Sequence, residues 1–315
     1  MYELTKHELD RRTFLRRAGL AGGLVAAGGS LEALLAACGG NVSTTPTTTG
    51  STPGVQKIES KGLKVSSLFQ WGSTSDGGAP YVFQDPKNPT QLVGFEVEIA
   101  AAISKLLGVK AKQVETDYAQ LDQALQANKF DVIMNGWEIT EDRKKTELFS
   151  QPYYHYGQQI VVRANDVRFS KFGDKDTLSL TNLEGYTVGT GASYKAAEIL
   201  ATDTKIKLKT YDPDLPFNDL ALGRIDAVLI DLPIVTYYVQ GIGPGGQANP
   251  KLKPIGKPFQ TSDYVIGYNK SNANASVLQK EIDQAITQIK NDGTLHQILQ
   301  RWSLWNDQQA EIGTK

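Results

Sequence analysis

From Gly62 onward, short β-rich apolar runs alternate with stretches whose apolar residues recur at helical spacing. The runs Lys64 to Phe69, Lys112 to Thr116, Asp131 to Asn135, Thr187 to Thr190 and Ala227 to Asp231 read as strands. Val97 to Leu107 and Val277 to Ile289 read as amphipathic helices between or after them. Strands separated by helices predict an α/β fold with a mostly parallel sheet covered on both faces. One pattern occurs twice. Leu125-Gln-Ala-Asn-Lys-Phe-Asp-Val-Ile-Met134 and Leu220-Ala-Leu-Gly-Arg-Ile-Asp-Ala-Val-Leu229 each run from a helix end through a basic residue, an apolar residue and Asp into a buried strand. A common helix-to-strand turn is one explanation of this echo; two related lobes are the other. Asn135, Gly136 and Glu138 follow the first strand and Asp231 ends the second. Ligands of open α/β sheets bind at the carboxyl ends of the strands, so two facing lobes would form a cleft there.

The first 56 residues carry a different pattern. Arg11 and Arg12 open the run Arg-Arg-Thr-Phe-Leu-Arg-Arg, and a Gly/Ala-rich, weakly apolar stretch follows to Leu34-Leu-Ala-Ala-Cys38. With Gly22, Gly23, Gly28, Gly29 and Glu32 inside it, the stretch is a poor permanent membrane span. The paired arginines resemble a twin-arginine export signal, and Leu-Ala-Ala-Cys resembles the lipobox of bacterial lipoproteins. The resemblance implies cleavage of residues 1–37 and lipid on Cys38, with more than one chain needed for durable attachment. Between Gly39 and Gln56, 14 of 18 residues are Gly, Ser, Thr or Pro, so residues 38–57 are expected to be a disordered tether.

Composition narrows the chemistry. Lys and Arg number 33 against 34 Asp and Glu, a net charge of -1, which gives no electrostatic footprint for nucleic acid. Cys38 is the only cysteine, so no intramolecular disulfide and no cysteine metal cluster can form in the body. His7, His155 and His296 stand far apart and outside any catalytic motif, so no metal, cofactor or catalytic residue is expected.

Thr140-Glu-Asp-Arg143 reads as a helix start with Thr140 as N-cap. A cation in the first turn opposes the helix dipole, which makes sense if Arg143 meets an anion from outside; a surface pair with Glu147 at i,i+4 explains it equally well. Tyr186-Thr-Val-Gly-Thr-Gly-Ala-Ser-Tyr194 reads as strand, turn and helix start, where backbone N–H groups could receive an anion or Ser193 could serve as a plain cap. It lacks the Gly-Lys-Ser/Thr ending of a P-loop and the Lys of a Ser-x-x-Lys nucleophile.

Five segments in order, Gly94-Phe-Glu-Val-Glu98, Lys129-Phe-Asp-Val132, Ile139-Thr-Glu-Asp-Arg143, Phe149-Ser-Gln-Pro-Tyr-Tyr154 and Gly223-Arg-Ile-Asp-Ala227, resemble the polar amino-acid-binding proteins of ABC importers, the bacterial extracellular solute-binding proteins of family 3. The resemblance spans residues 58 to 305. It implies the two-lobed, hinged type II periplasmic-binding-protein fold, with lobe one at 58–155 and 265–307, lobe two at 156–264 and a tail at 308–315. The hinges would lie near Tyr153 to Gly157 and Ser262 to Gly267. It also implies a monomer that captures an amino acid and passes it to a membrane permease. Arg143 would clamp the ligand carboxylate, helped by N–H groups near Ala192 and Ser193. Asp231 would take the ammonium, Tyr118 would stand against the ligand, and Asn135 and Gly136 would add hydrogen bonds. Two positions depart from the pattern. Glu138 stands where Thr or Ser is usual, which adds negative charge that could favour a cationic side chain or support Asp231. Gly78 stands where an aromatic is common, leaving Tyr81, Trp71 and Trp137 as candidate lids. The alternatives are an enzyme of the same fold, a dehydratase using Glu138 with a raised pKa, or a ligand-sensing domain.

Overall fold

The computed structural model describes residues 57–315 apart from Gly77 and Pro213. The export signal with Arg11 and Arg12, the lipidation site Cys38 and all but the last residue of the tether lie outside the described residues. Among those residues no helix is long and apolar enough to cross a membrane.

Among the described residues, twelve strands run in chain order: β1 (Leu68–Ser73), β2 (Phe83–Asp85), β3 (Asn88–Val93), β4 (Lys110–Glu115), β5 (Val132–Ile133), β6 (Glu147–Phe149), β7 (Tyr154–Arg163), β8 (Thr187–Gly191), β9 (Lys207–Tyr211), β10 (Ala227–Asp231), β11 (Leu252–Tyr264) and β12 (Gly267–Asn269). They build two five-stranded sheets, ordered β4-β1-β5-β12-β6 and β11-β7-β10-β8-β9, with β2 and β3 as a separate hairpin. In the first sheet β1 pairs in parallel with β4 and β5. In the second β8 pairs in parallel with β9 and β10. Each sheet is completed by antiparallel strands, β12 and β6 in one, β7 and β11 in the other. This is the α/β class that the alternation predicted, in the two lobes that the resemblance implied. Each sheet has as many antiparallel as parallel pairings rather than being mostly parallel, because β12 and β7 enter their sheets reversed where the chain crosses between lobes.

The helix Phe95–Leu107 carries acids Glu96 and Glu98 in its first turn and Lys105 in its last, as the helix dipole favours, and stops at Gly108 in the left-handed region. Its buried side includes Phe95, Ile99 and Ile103. It packs against the C-terminal helices Ala275–Asn291 and Thr294–Arg301. Glu98 ties that packing together, accepting from Trp302 Nε1 at 2.9 Å and pairing with Arg301. Lobe two has its own core of Val162, Phe169, Leu183, Val188, Leu200 and Leu229.

The repeated sequence pattern has a repeated structural role. Asp131 donates its N–H to Gln70 O at 3.0 Å while its carboxylate accepts from Gln70 N at 2.8 Å. Asp226 donates its N–H to Thr187 O at 2.8 Å and accepts from Thr187 N at 2.9 Å. Each aspartate clasps a residue in the first half of the parallel strand beside its own, Gln70 in β1 and Thr187 in β8.

Two expected strands moved. The stretch from Lys64 opens with a turn closed by a bridge between Val65 and Leu68, and the strand runs on to Ser73 instead of ending at Phe69. Lys64 is held out of β1 by its own bonds, its N–H on Asp131 and its ammonium on Asn128 O. The run 131–135 is paired as strand only at Val132 and Ile133, because Asn135 and Gly136 turn away to serve the cleft.

The chain passes from the first sheet to the second between β6 and β7, and returns between β11 and β12. At both passages the strands are side by side, with Tyr154 opposite Tyr264, His155 opposite Asp263 and Tyr156 opposite Ser262. Tyr156 stacks on Tyr264 with ring centroids 4.1 Å apart. One residue of the tail 308–315 packs here. Gln309 is fully buried, and its amide accepts from His155 N and donates to His155 O.

Candidate functional site

A cavity of about 210 Å³ lies between the two sheets. Lobe one contributes Thr74, Asp76, Tyr81, Asp117, Tyr118, Asn135, Gly136 and Glu138 to its lining. Lobe two contributes Gly191, Ala192, Tyr194, Tyr211, Asp212, Asp214 and Asp231. The carboxyl ends of β5, β8, β9 and β10 therefore converge on one space, where strand polarity leaves side chains and backbone groups facing outward.

Asp231 closes β10 and is 3 % exposed. Its carboxylate accepts from Gln158 Nε2 at 2.8 Å and from the Tyr264 hydroxyl at 2.5 Å. The Tyr264 hydroxyl also bonds the Tyr81 hydroxyl at 2.7 Å, so a chain of polar groups runs from lobe two through the returning strand to lobe one. Burial pushes the Asp231 carboxyl above the ordinary range, because desolvation disfavours its charged form.

Glu138 is 1 % exposed and faces the same cavity. It accepts from Lys195 N at 2.8 Å, across the cleft, and from the Tyr156 hydroxyl on the crossing strand. Burial raises its pKa first and the neighbouring Asp231 carboxylate second.

Arg143 is 7 % exposed. The helix there is a single turn, Arg143–Thr146, starting two residues later than the sequence suggested, so that Asp142 and not Thr140 holds the N-cap position; Thr140 Oγ1 still accepts from Arg143 N at 3.2 Å. The guanidinium lies over the Trp137 ring, 3.3 Å from its centroid. It donates to Glu138 O at 2.8 Å, to Ser193 O at 3.4 Å and to the Tyr118 hydroxyl at 3.5 Å. A surface pair with Glu147 is not formed: Glu147 is buried and accepts from Trp137 Nε1 at 2.7 Å. Arg143 thus stands behind the cavity wall, screened by Tyr118 and Glu138, and bonds across to lobe two.

The remaining expected residues divide. Tyr81, Tyr118, Asn135, Gly136 and Ala192 line the cavity, and Ser193 stands beside it. Ala192 N–H donates to Tyr211 O at 2.7 Å, so it is already engaged. Gly136 N–H donates to Glu96 at 2.6 Å, which leaves only its carbonyl for other partners. Gly136 has φ 58°, and a Cβ there would come within 2.8 Å of the Tyr81 ring; glycine is what lets that ring close over the cavity floor. Ser193, with φ 63°, is not the helix cap; Tyr194 precedes the helix Lys195–Ala201. Of the three candidate lids, Tyr81 reaches the cavity, whereas Trp71 and Trp137 are buried behind it.

Sequence reasoning missed Tyr194, whose ring meets Tyr118 at 5.1 Å between lobes, and the acids Asp76, Asp117, Asp212 and Asp214. It also missed Glu96, fully buried, which fixes Gly136 and accepts from the Tyr153 hydroxyl; burial raises its pKa to about 7. Its place in Gly94-Phe-Glu-Val-Glu98 was the available signal.

Comparison with known proteins agrees with this geometry. The chain is 31% identical over 225 residues to the L-cystine-binding protein TcyJ of Escherichia coli (strain K12), covering 71% of this chain and 78% of that protein. An ancestral arginine-binding protein bound to arginine superposes with a TM-score of 0.62 at 32% identity, over 75% of this chain and 98% of the other. An ancestral amino-acid-binding protein, a precursor of cyclohexadienyl dehydratase, gives a TM-score of 0.61 at 26% identity over 75% and 95% of the two chains. The profile of the bacterial extracellular solute-binding proteins, family 3, matches residues 73–304, and the chain belongs to that family.

Proposed function

We propose that the protein captures one amino acid in the cavity between its lobes, outside the cytoplasm, and delivers it to the permease of an ABC importer. The observation that carries this reading is the convergence of Asp231, from the end of β10, with Asn135 and Glu138, from beyond β5, on one cavity between two sheets. Asp231 takes the α-ammonium, a charge-assisted bond in a desolvated site. Arg143 takes the α-carboxylate once Tyr118 and Ser193 O yield its Nη2, with the Ser193 backbone N–H as a second donor. Asn135, whose Oδ1 already accepts from Thr74 N at 2.9 Å, offers its amide N–H groups. Tyr81 and Tyr118 lie against the ligand.

Lobe one comprises residues 58–155 and 265–307 and lobe two residues 156–264, closing about the paired strands β7 and β11. Because the ligand bonds both lobes only when they meet, capture and closure are one equilibrium. The protein acts as a monomer, exported by the twin-arginine signal at Arg11 and Arg12 and held at the membrane by lipid on Cys38, with residues 38–57 as the tether.

The raised Glu138 carboxyl is also what a dehydratase acid would need, so the test includes turnover. A thermal-shift screen of the purified protein against the twenty amino acids and simple polyamines is expected to raise the melting temperature for an amino acid, since the ligand binds the folded state. The shift is lost in Arg143→Ala and Asp231→Ala. A screen without any shift contradicts the reading, and conversion of a bound hydroxylated compound supports the enzyme instead.

A further inference from the structure

We propose that Glu138 selects amino acids carrying a second cationic group, a side-chain guanidinium or ammonium, so that the ligand enters the cleft with net positive charge. This deepens the functional reading above and rests on it.

The charges around the cavity are one-sided. Six acids line it, Asp76, Asp117, Glu138, Asp212, Asp214 and Asp231, and among the described lining residues there is no Lys, Arg or His. Glu138 and Asp231 are almost wholly buried while the other four are exposed. Two buried carboxylates on one cavity resist joint ionisation unless cations face them. Arg143 is the cation behind the wall, and a neutral amino acid would bring equal charges of both signs. With both carboxyls ionised, the interior would then remain one negative charge in excess. A ligand with two cationic groups and one carboxylate balances it: carboxylate to Arg143, α-ammonium to Asp231, side-chain cation to Glu138.

The partners of Glu138 leave room for this role. Its oxygens accept from a backbone N–H and a phenol, Lys195 N and Tyr156, and neither donor carries charge. The rings of Tyr81, Tyr118 and Tyr194 line the same cavity, and aromatic faces attract cations. The acids are not gathered for a metal, since no three His, Cys, Asp or Glu side chains among the described residues could hold one ion. The four exposed acids surround the mouth, where a field of one sign steers cations inward.

The test is calorimetric titration of the purified protein with L-arginine and L-ornithine, and with L-citrulline as the neutral isostere of arginine. The wild type is expected to prefer arginine over citrulline by roughly ten- to a hundred-fold, the size of a buried charge-assisted bond. In Glu138→Gln and Glu138→Thr that preference falls to within roughly threefold. If both variants fail to fold, as judged by circular dichroism, the wild-type ratio and proton release on arginine binding in two buffers decide the matter. Equal affinity for arginine and citrulline in the wild type overturns the proposal, as does a preference that survives in either folded variant. Tight binding of neutral amino acids alone defeats this proposal and leaves the functional reading intact; binding of no amino acid defeats both.

Discussion

The carboxylate of Glu138, on lobe one, accepts from the backbone N–H of Lys195, on lobe two, at 2.8 Å. With its other oxygen on Tyr156 of the crossing strand, this one side chain joins both lobes and the passage between them. A side chain as short as Thr or Ser could not reach both partners.

Glu138→Ala is therefore expected to open the ligand-free protein. Small-angle scattering should give it a larger radius of gyration than the ligand-free wild type, and a saturating ligand should bring the two together. An unchanged radius would mean that the other contacts between the lobes, Arg143 to Ser193 O and the Tyr118 and Tyr194 rings, suffice to hold them.

Tyr264→Phe removes the donor to Asp231 and the partner of Tyr81 while keeping the ring stacked on Tyr156. Leaving a buried carboxylate short of one bond costs about 1–3 kcal/mol, so stability in urea should fall by that amount. Ligand affinity should fall by less than in Asp231→Ala, because the charge remains.

The buried acids set the pH dependence of stability. Burial raises Glu96 to about 7 and Glu147 to about 8, and raises Glu138 and Asp231 as well. A carboxyl with a raised folded-state pKa binds more protons folded than unfolded, so its stability is fully present below the ordinary range of about 4 and lost as pH rises through the folded value. The ligand-free protein should have a lower urea midpoint at pH 8.5 than at pH 5.5. For Glu138 the groups facing it are Asp231, Arg143, Tyr156 and the Lys195 backbone, so a cationic ligand should narrow the difference and Glu138→Gln should reduce it. A flat profile would mean that these carboxyls are hydrated and titrate normally.

The paired clasps make a symmetric prediction. Asp131→Ala removes the acceptor for an N–H early in β1, that of Gln70, and Asp226→Ala the acceptor for the first N–H of β8, that of Thr187. Each should cost about 1–3 kcal/mol, measured by urea unfolding. Proteolysis should cut the damaged lobe first, lobe one for Asp131 and lobe two for Asp226.

Those clasps also show how far the sequence could be read. The echo around Asp131 and Asp226 was visible because each aspartate follows its basic and apolar residues directly, and it located strands β5 and β10 with their functional ends. The helix Phe95–Leu107 was visible because its buried positions keep helical spacing. The start of β1 was misplaced because Lys64 spends its N–H on Asp131 and its ammonium on Asn128 O, while the Val65 carbonyl closes a turn by accepting from Leu68 N. The site was legible where one segment supplies several residues, as Asn135 to Arg143 does. It was illegible where partners come from distant segments. Tyr264 reaches Asp231 across 33 positions, and Glu96 reaches Gly136 across 40. No local spacing reports such a meeting, nor that Tyr118 and Glu138 O hold the Arg143 guanidinium in the ligand-free site.

The most direct test of the account is a crystal structure of the protein with its best-binding amino acid. The account predicts one ligand between the lobes, its α-ammonium within hydrogen-bond distance of Asp231 and its carboxylate on Arg143, with Tyr118 displaced from the guanidinium. A ligand bound elsewhere, or one whose ammonium points away from Asp231, would contradict it.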